Sequence, residues 1–379
     1  MGTGSLIFEK WGHAALCIEY SGSQAQGICY NYGTTDFTRP IKVVWDFVRG
    51  EGLFWVSRDT PRRMIARYRS YDRSMWRQVL PLTPEQAVNA ARTLAHAAMP
   101  ENRHYIYHHF FDNCTTRIRD IIDEVTDGAL RRDSSDKLGP TFRDYSRQGF
   151  AEMTWALIGT DYLLGRQADL QPDRWQVMFL PDFLRQHVTE RLGAEPELVY
   201  ERRGPAFSQD PGMGGRGFMF LLALLLAVPV AVTRWRGRFE RLGIAAAIVP
   251  SFLFSFVVWG LPAISSLEAL RYNEVLLVYC PLDLALLVLG QKRRQVYAQL
   301  RVAWLVAVSL LCAVGVFTQP LWAPIALVFV PLIVIAIPVF PEKSSSVTDD
   351  ATGSTHRAGA AKSGVGNPGK GKKKGKKRR

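Results

Sequence analysis

No histidine or cysteine spacing in the sequence resembles a zinc site, so no metal and no other cofactor is inferred. The first residues, Met1-Gly-Thr-Gly-Ser-Leu-Ile-Phe, lack a basic start and a long apolar run, which excludes them as an export signal. Charge is scarce from 217 to 340, an almost continuously apolar stretch, which excludes an ordinary soluble domain there. Residues 1–216 mix charges, aromatics and turn residues instead. At 379 residues the chain exceeds one ordinary core and accommodates two units. The expected division is a soluble domain at 1–204, a linker at 205–216 carrying Pro205, Pro211, Gly212, Gly214 and Gly215, an apolar domain at 217–341, and a tail at 342–379.

The net charge of +13 would suggest nucleic acid if it were spread over a folded surface. It is concentrated in the tail, which holds 11 Lys and Arg against 3 Asp and Glu and ends KGKKKGKKRR. A Gly/Ser/Lys run cannot bury apolar surface, so the tail reads as a solvated, disordered segment that fixes membrane orientation, and no nucleic-acid partner is inferred.

A bilayer core needs about 20 apolar residues as a helix. Five spans are expected, at 218–233, 242–261, 275–289, 302–317 and 321–340, the third short and containing Pro281 and Asp283. Arg234, Arg236, Arg238 and Arg241 follow the first span, Lys292, Arg293, Arg294 and Arg301 follow the third, and the lysine tail follows the fifth. With five spans all three basic segments fall on one side, which is cytoplasmic by the positive-inside rule, and the amino-terminal domain faces outward. An outward domain needs an export signal, so Met1 is expected to be an internal start or to follow a removed segment. Asp283 has two readings: a functional carboxylate facing a polar interior, or part of a segment that is re-entrant or ends before it.

In the soluble domain, 14–20 and 27–32 read as the strands of a hairpin with a longer loop at 21–26. Centring the loop near Ser23 pairs residues whose numbers sum to about 46. That register puts His13, Cys17, Cys29, Asn31 and Gly33 on one face. Thr83-Pro84-Glu85-Gln86 opens a helix running to about Ala98, with Thr83 as N-cap, Pro84 at the first position and Gln86 completing a capping box. Ile118, Ile121, Ile122 and Val125 repeat at helical spacing, so Cys114 falls at the start of a second helix, after the aromatic strand-like run Tyr105-Ile-Tyr-His-His-Phe-Phe. Strands and helices in mixed order indicate α+β.

A helix amino terminus and a nearby imidazolium both favour the thiolate, and a helix start also supplies N–H groups for an oxyanion. Cys114 has the first by position. Among His13, His104, His108 and His109, the candidate base is His13, which begins a strand next to Gly12; His109 reads as packing in its aromatic run or making a local hydrogen bond. The alternative for Cys114 is a buried structural cysteine. Cys17 and Cys29 are either small core residues or a cross-strand disulfide.

Trp11-Gly-His-Ala-Ala-Leu, Asn31-Tyr-Gly with Asp36-Phe, Tyr107-His-His-Phe-Phe-Asp-Asn-Cys-Thr-Thr-Arg-Ile-Arg-Asp and Phe179-Leu-Pro-Asp resemble the Lnb-type bacterial lipoprotein N-acyltransferases, and Asn273 with Leu276-Leu277 and Pro281-Leu282 resembles their membrane part. The Asp-Asn-Cys-Thr-Thr-Arg element is the most specific piece. The resemblance implies a permuted papain-like thiol domain followed by an all-α bundle of five transmembrane helices in the bacterial inner membrane, the first domain periplasmic and the tail cytoplasmic. It implies Cys114 as nucleophile and His13 as base, with Asn31 as the orienting group or, equally, a turn-supporting residue before Gly33. The implied activity moves a fatty acyl group from a membrane lipid or a diacylated lipoprotein, through a thioester, to a lipoprotein amino terminus. Two other functions stand beside it: a thiol hydrolase in which water replaces the amine, and a non-enzymatic exported sensor or scaffold module.

Overall fold

The computed structural model describes residues 1–20 and 27–338. The expected hairpin loop, the tail and the last residues of the fifth expected span lie outside the described residues. Among the described residues six strands are present: β1 Leu16–Ile18, β2 Ile28–Thr34, β3 Leu53–Asp59, β4 Met75–Arg77, β5 His104–Ile106 and β6 Glu197–Tyr200. The main sheet is antiparallel in the order β1-β2-β3-β5, while β4 pairs with β6 in a second, small sheet. With helices packed around them, the fold of this part is mixed α and β.

The β1–β2 register sets Leu16 opposite Tyr30, Cys17 opposite Cys29 and Ile18 opposite Ile28, the pairing the sequence predicts. Cys17 and Cys29 are joined by a disulfide, which leaves Cys114, Cys280 and Cys312 as free thiols. One face of the sheet contributes Tyr30, Tyr32, Phe54, Val56 and Tyr105 to a core completed by Ile118, Ile121 and Ile122 of the helix Cys114–Val125. Leu94 enters the same core from the helix Pro84–Ala97, whose capping box closes as expected: Gln86 N–H donates to Thr83 Oγ1 at 3.2 Å and Thr83 N–H to Gln86 Oε1 at 3.0 Å.

Three helices of the apolar part are long and apolar enough to cross a membrane: Arg216–Trp235, Glu240–Ile264 and Gln291–Ala313. A fourth, Trp322–Ala336, is shorter. The expected third helix at 275–289 is corrected. Glu274–Leu277 and Pro281–Leu287 are separate 3-10 turns. Pro281 has no N–H to continue a ladder, and Asp283 must reach a partner. A 3-10 turn rises ~2.0 Å per residue against 1.5 Å for an α-helix, so this short segment covers the ground of a longer helix.

Nonhelical backbone leaves carbonyls without intrasegment donors, and in an apolar bundle each orphan is costly. Neighbouring side chains supply the donors. Trp304 Nε1 donates to Leu277 O at 2.8 Å, Arg301 to Val278 O at 2.8 Å, Trp259 Nε1 to Tyr279 O at 2.7 Å, and Arg294 to Leu286 O at 2.9 Å and Leu289 O at 3.0 Å. Asp283 accepts from Arg301 at 2.7 and 3.0 Å and from Tyr297 Oη at 2.9 Å. Of its two readings, the ion pair supports the structural one: the carboxylate fixes the broken segment to Gln291–Ala313.

The segment still runs from one end of the bundle to the other. At one end, Arg234 donates to Ile335 O and Ile337 O, each at 2.6 Å, and Glu240 pairs with Arg294 at 3.2 Å. At the opposite end, Asn273 donates to Tyr162 O at 2.8 Å and Gln319 to Leu164 O at 2.7 Å. There the helix Thr154–Leu163 meets the bundle, and Tyr162 joins the bundle's apolar core. Asp161, 2% exposed, is held by Arg147 at 2.5 Å and by Arg216, at the start of Arg216–Trp235, at 2.8 Å.

The Asp283–Arg301 pair makes a stability prediction. Arg301→Leu leaves a buried carboxylate unpaired and should cost about 3–5 kcal/mol in thermal unfolding of the detergent-purified protein. The double variant Asp283→Leu/Arg301→Leu should lose less than Arg301→Leu alone.

Candidate active site

The helix Cys114–Val125 starts at the thiol because Asn113 caps it. Asn113 Oδ1 accepts from the N–H of Thr115 at 2.8 Å and of Thr116 at 2.9 Å, and its amide nitrogen donates to His109 O at 2.7 Å and Phe179 O at 3.0 Å. The Phe179-Leu-Pro-Asp motif thus meets the cysteine turn through its first carbonyl. Asp112 and Arg117 pair across the turn at 2.5 and 2.6 Å, and the Arg117 guanidinium lies 4.5 Å from the centre of the Tyr105 ring. Each polar residue flanking the cysteine in the motif has a local structural task, and Cys114 itself is half-buried with its side chain uncommitted to the cap.

Backbone from two directions converges on this sulfur. The Ala14 backbone lies near enough to the Cys114 thiol to favour its anion. On the other side, a register shift in β2–β3 between Asn31 and Thr34 carries Gly33 onto the cysteine. Gly33 has φ +85°, and a Cβ there would sit 3.4 Å from Cys114 Cβ. Any L side chain would therefore be strained and would crowd the thiol. His13 precedes Ala14 and stacks nearly parallel to Tyr68 at 6.0 Å between ring centres, while the Asn31 side-chain nitrogen is buried without a hydrogen-bond partner among the described residues. Gly33, two residues after Asn31, thus lies against Cys114, and no hydrogen bond joins Cys114, His13 and Asn31 to one another among the described residues.

The other histidines have different surroundings. His104 is exposed on β5 opposite Trp55, and His108 Nδ1 accepts from the N–H of Phe110 at 3.2 Å and Phe111 at 3.3 Å. His109 packs edge-on against Trp11 at 4.3 Å, in keeping with the packing role expected for it.

The electrostatics correct the expectation of a low thiol pKa beside an imidazolium. Burial raises Cys114 above its ordinary value, outweighing the Thr115 side-chain hydrogen bond and the Ala14 N–H that favour the anion. Burial, followed by the Arg73 cation, lowers His13 to about 3, against the opposing pull of Asn31. Both groups are neutral at pH 7. The helix amino terminus favours the anion through the Thr115 backbone, but burial outweighs it.

The Asn113 cap changes which donors remain for an oxyanion. Thr115 and Thr116 are engaged, so the expected cradle of helix-start N–H groups shrinks toward that of Cys114. The Tyr105 hydroxyl, by contrast, is buried without a hydrogen-bond partner among the described residues and lies 4.0 Å from where a Gly33 Cβ would be. Sequence reasoning missed Tyr105. Its only signal was the alternation of Tyr105 and Tyr107 in the run before the motif, which also fits plain core packing.

All of these groups fall within a single matched region. Residues 2–148 match the Lnb N-terminal periplasmic domain family. The Lnb match covers β1 to β5 and the whole cysteine helix, so Cys114, His13, Asn31 and Tyr105 all lie inside it. No curated protein and no solved structure matches the chain.

Because burial favours the neutral thiol, alkylation of Cys114 by iodoacetamide should be slow at neutral pH. Its rate should still be climbing at pH 9.0, the ordinary value for a free thiol, as the thiolate fraction grows. A plateau reached near neutrality, followed by intact mass on Cys114, would mean a preformed thiolate–imidazolium pair.

Proposed function

We propose that the chain is a membrane-anchored thiol acyltransferase that moves a fatty acyl group through a Cys114 thioester to the amino terminus of a bacterial lipoprotein. The observation that supports it is the helix-start Cys114 with the close-approaching Gly33 against it, inside a region, also holding His13 and Asn31, that matches the Lnb N-terminal periplasmic domain family and precedes an apolar bundle. A helix-start cysteine packed on an antiparallel sheet, with its histidine earlier in the chain, supports a permuted papain-like arrangement. The basic residues gathered at one end of the bundle support an outward, periplasmic thiol domain and a cytoplasmic tail at the inner membrane.

In the first step His13 takes the proton from Cys114 as the sulfur attacks the carbonyl carbon of a lipid ester. A concerted transfer suits two groups that rest neutral. The Cys114 N–H and the Tyr105 hydroxyl hold the oxyanion; the ester C–O bond then breaks, and the alcohol leaves with the proton from His13. In the second step the α-amine of the acceptor attacks the thioester and gives its proton to His13. The C–S bond breaks, the amide forms, and the thiol regains its proton. Asn31 holds the imidazole in one tautomer throughout. Donor and acceptor both reside in the bilayer, which raises their effective concentration at an anchored site.

Intact-mass analysis of purified protein with phospholipid should detect an acyl adduct on Cys114 that disappears in Cys114→Ser and His13→Ala. Cells expressing the protein should contain N-acylated lipoprotein, and those expressing Cys114→Ala none. Adduct formation with free fatty acid as the sole product would instead identify a hydrolase. Tyr105→Phe should slow adduct formation by about 10²–10³-fold, as expected for loss of one oxyanion donor, without lowering the melting temperature.

A further inference from the structure

The helix Pro40–Arg49 is apolar on two faces. Inward, Val43 is buried and Phe47 lies 6.2 Å from the ring of Tyr107. Outward, Ile41, Val44, Trp45 and Val48 follow the i, i+3, i+4, i+7 stripe; Ile41 is 85% exposed, Trp45 51% and Val44 47%. Nothing among the described residues covers this stripe. Leu53 and Ile106, paired across β3 and β5, are also about half exposed, at 52% and 49%. Contiguous exposed apolar surface on a folded protein marks a place of contact.

The position of the helix identifies what it contacts. Ser266, just beyond the end of Glu240–Ile264, donates to Arg49 O through its N–H and its hydroxyl, each at 3.0 Å. Gly50, at φ +74°, ends the helix there, packed against Ser266 and Leu267. The stripe is thus pinned at the end of the bundle that carries the thiol domain, at the level where a spanning helix leaves the hydrocarbon. An outward tryptophan among aliphatic residues, flanked by Arg39, Lys42 and Arg49, is the composition of a helix lying in the headgroup layer.

We infer that Pro40–Arg49 is an interfacial helix, seated in the lipid surface beside the bundle, which sets the thiol domain against the membrane. This rests on the bundle being membrane-spanning. A short loop joins the helix to β2 and Gly33, so seating it brings the Cys114 edge of the sheet to lipid ester depth.

Spin-label depth measurement tests this in the full chain reconstituted into phosphatidylethanolamine/phosphatidylglycerol bilayers, with Cys114, Cys280 and Cys312 replaced by Ser. Nitroxides are placed at Val44→Cys on the stripe, Val88→Cys on the exposed face of Pro84–Ala97, and Leu224→Cys on the exposed face of Arg216–Trp235. The ratio of oxygen to aqueous nickel collisions is expected to be several-fold higher at 44 than at 88 and lower at 44 than at 224. Equal ratios at 44 and 88, with a high ratio at 224, overturn the interfacial helix while leaving the bundle in the membrane. A low ratio at 224 overturns the membrane reading itself.

Discussion

The side-chain amide of Asn113 uses its full hydrogen-bonding capacity, two acceptances at the oxygen and two donations at the nitrogen. Those four bonds tie the start of the cysteine helix to the aromatic turn before it and to the Phe179 carbonyl far along the chain. The sulfur's position follows from that cluster. The thiol's electrostatics come from another source, the burial of the same turn, which outweighs the groups that favour the anion.

Much of the hairpin and the helix starts was legible in the sequence because local rules governed them. The strand register followed from period-two alternation and from centring the loop near Ser23, and it brought Cys17 opposite Cys29. The Thr83 cap and the Ile118, Ile121, Ile122 stripe were likewise set by neighbours three or four residues away. The hairpin register placed His13 and Asn31 on one face, whereas Cys114 was tied to them only by resemblance, since spacing alone cannot relate residues about a hundred positions apart. The role of Gly33 in meeting the thiol depends on a shift between β2 and β3, a relation between distant strands that no local pattern encodes.

Electrostatics was the least legible level. Position at a helix start suggested an activated thiol, but the sign of the shift is set by burial, a property of the assembled core. The bundle shows the same limit. Hydropathy identified 275–289 as apolar and Asp283 as anomalous, yet the segment's conformation depended on donors from Trp259, Arg294, Arg301 and Trp304, which lie on other helices.

The broken segment also constrains how the protein is made. A helix can partition into lipid alone because its own ladder satisfies its backbone, whereas this stretch depends on one donor from the helix before it and several from the helix after it. In a bilayer its backbone would be satisfied only with Gln291–Ala313 packed beside it, so the two would behave as a single insertion unit.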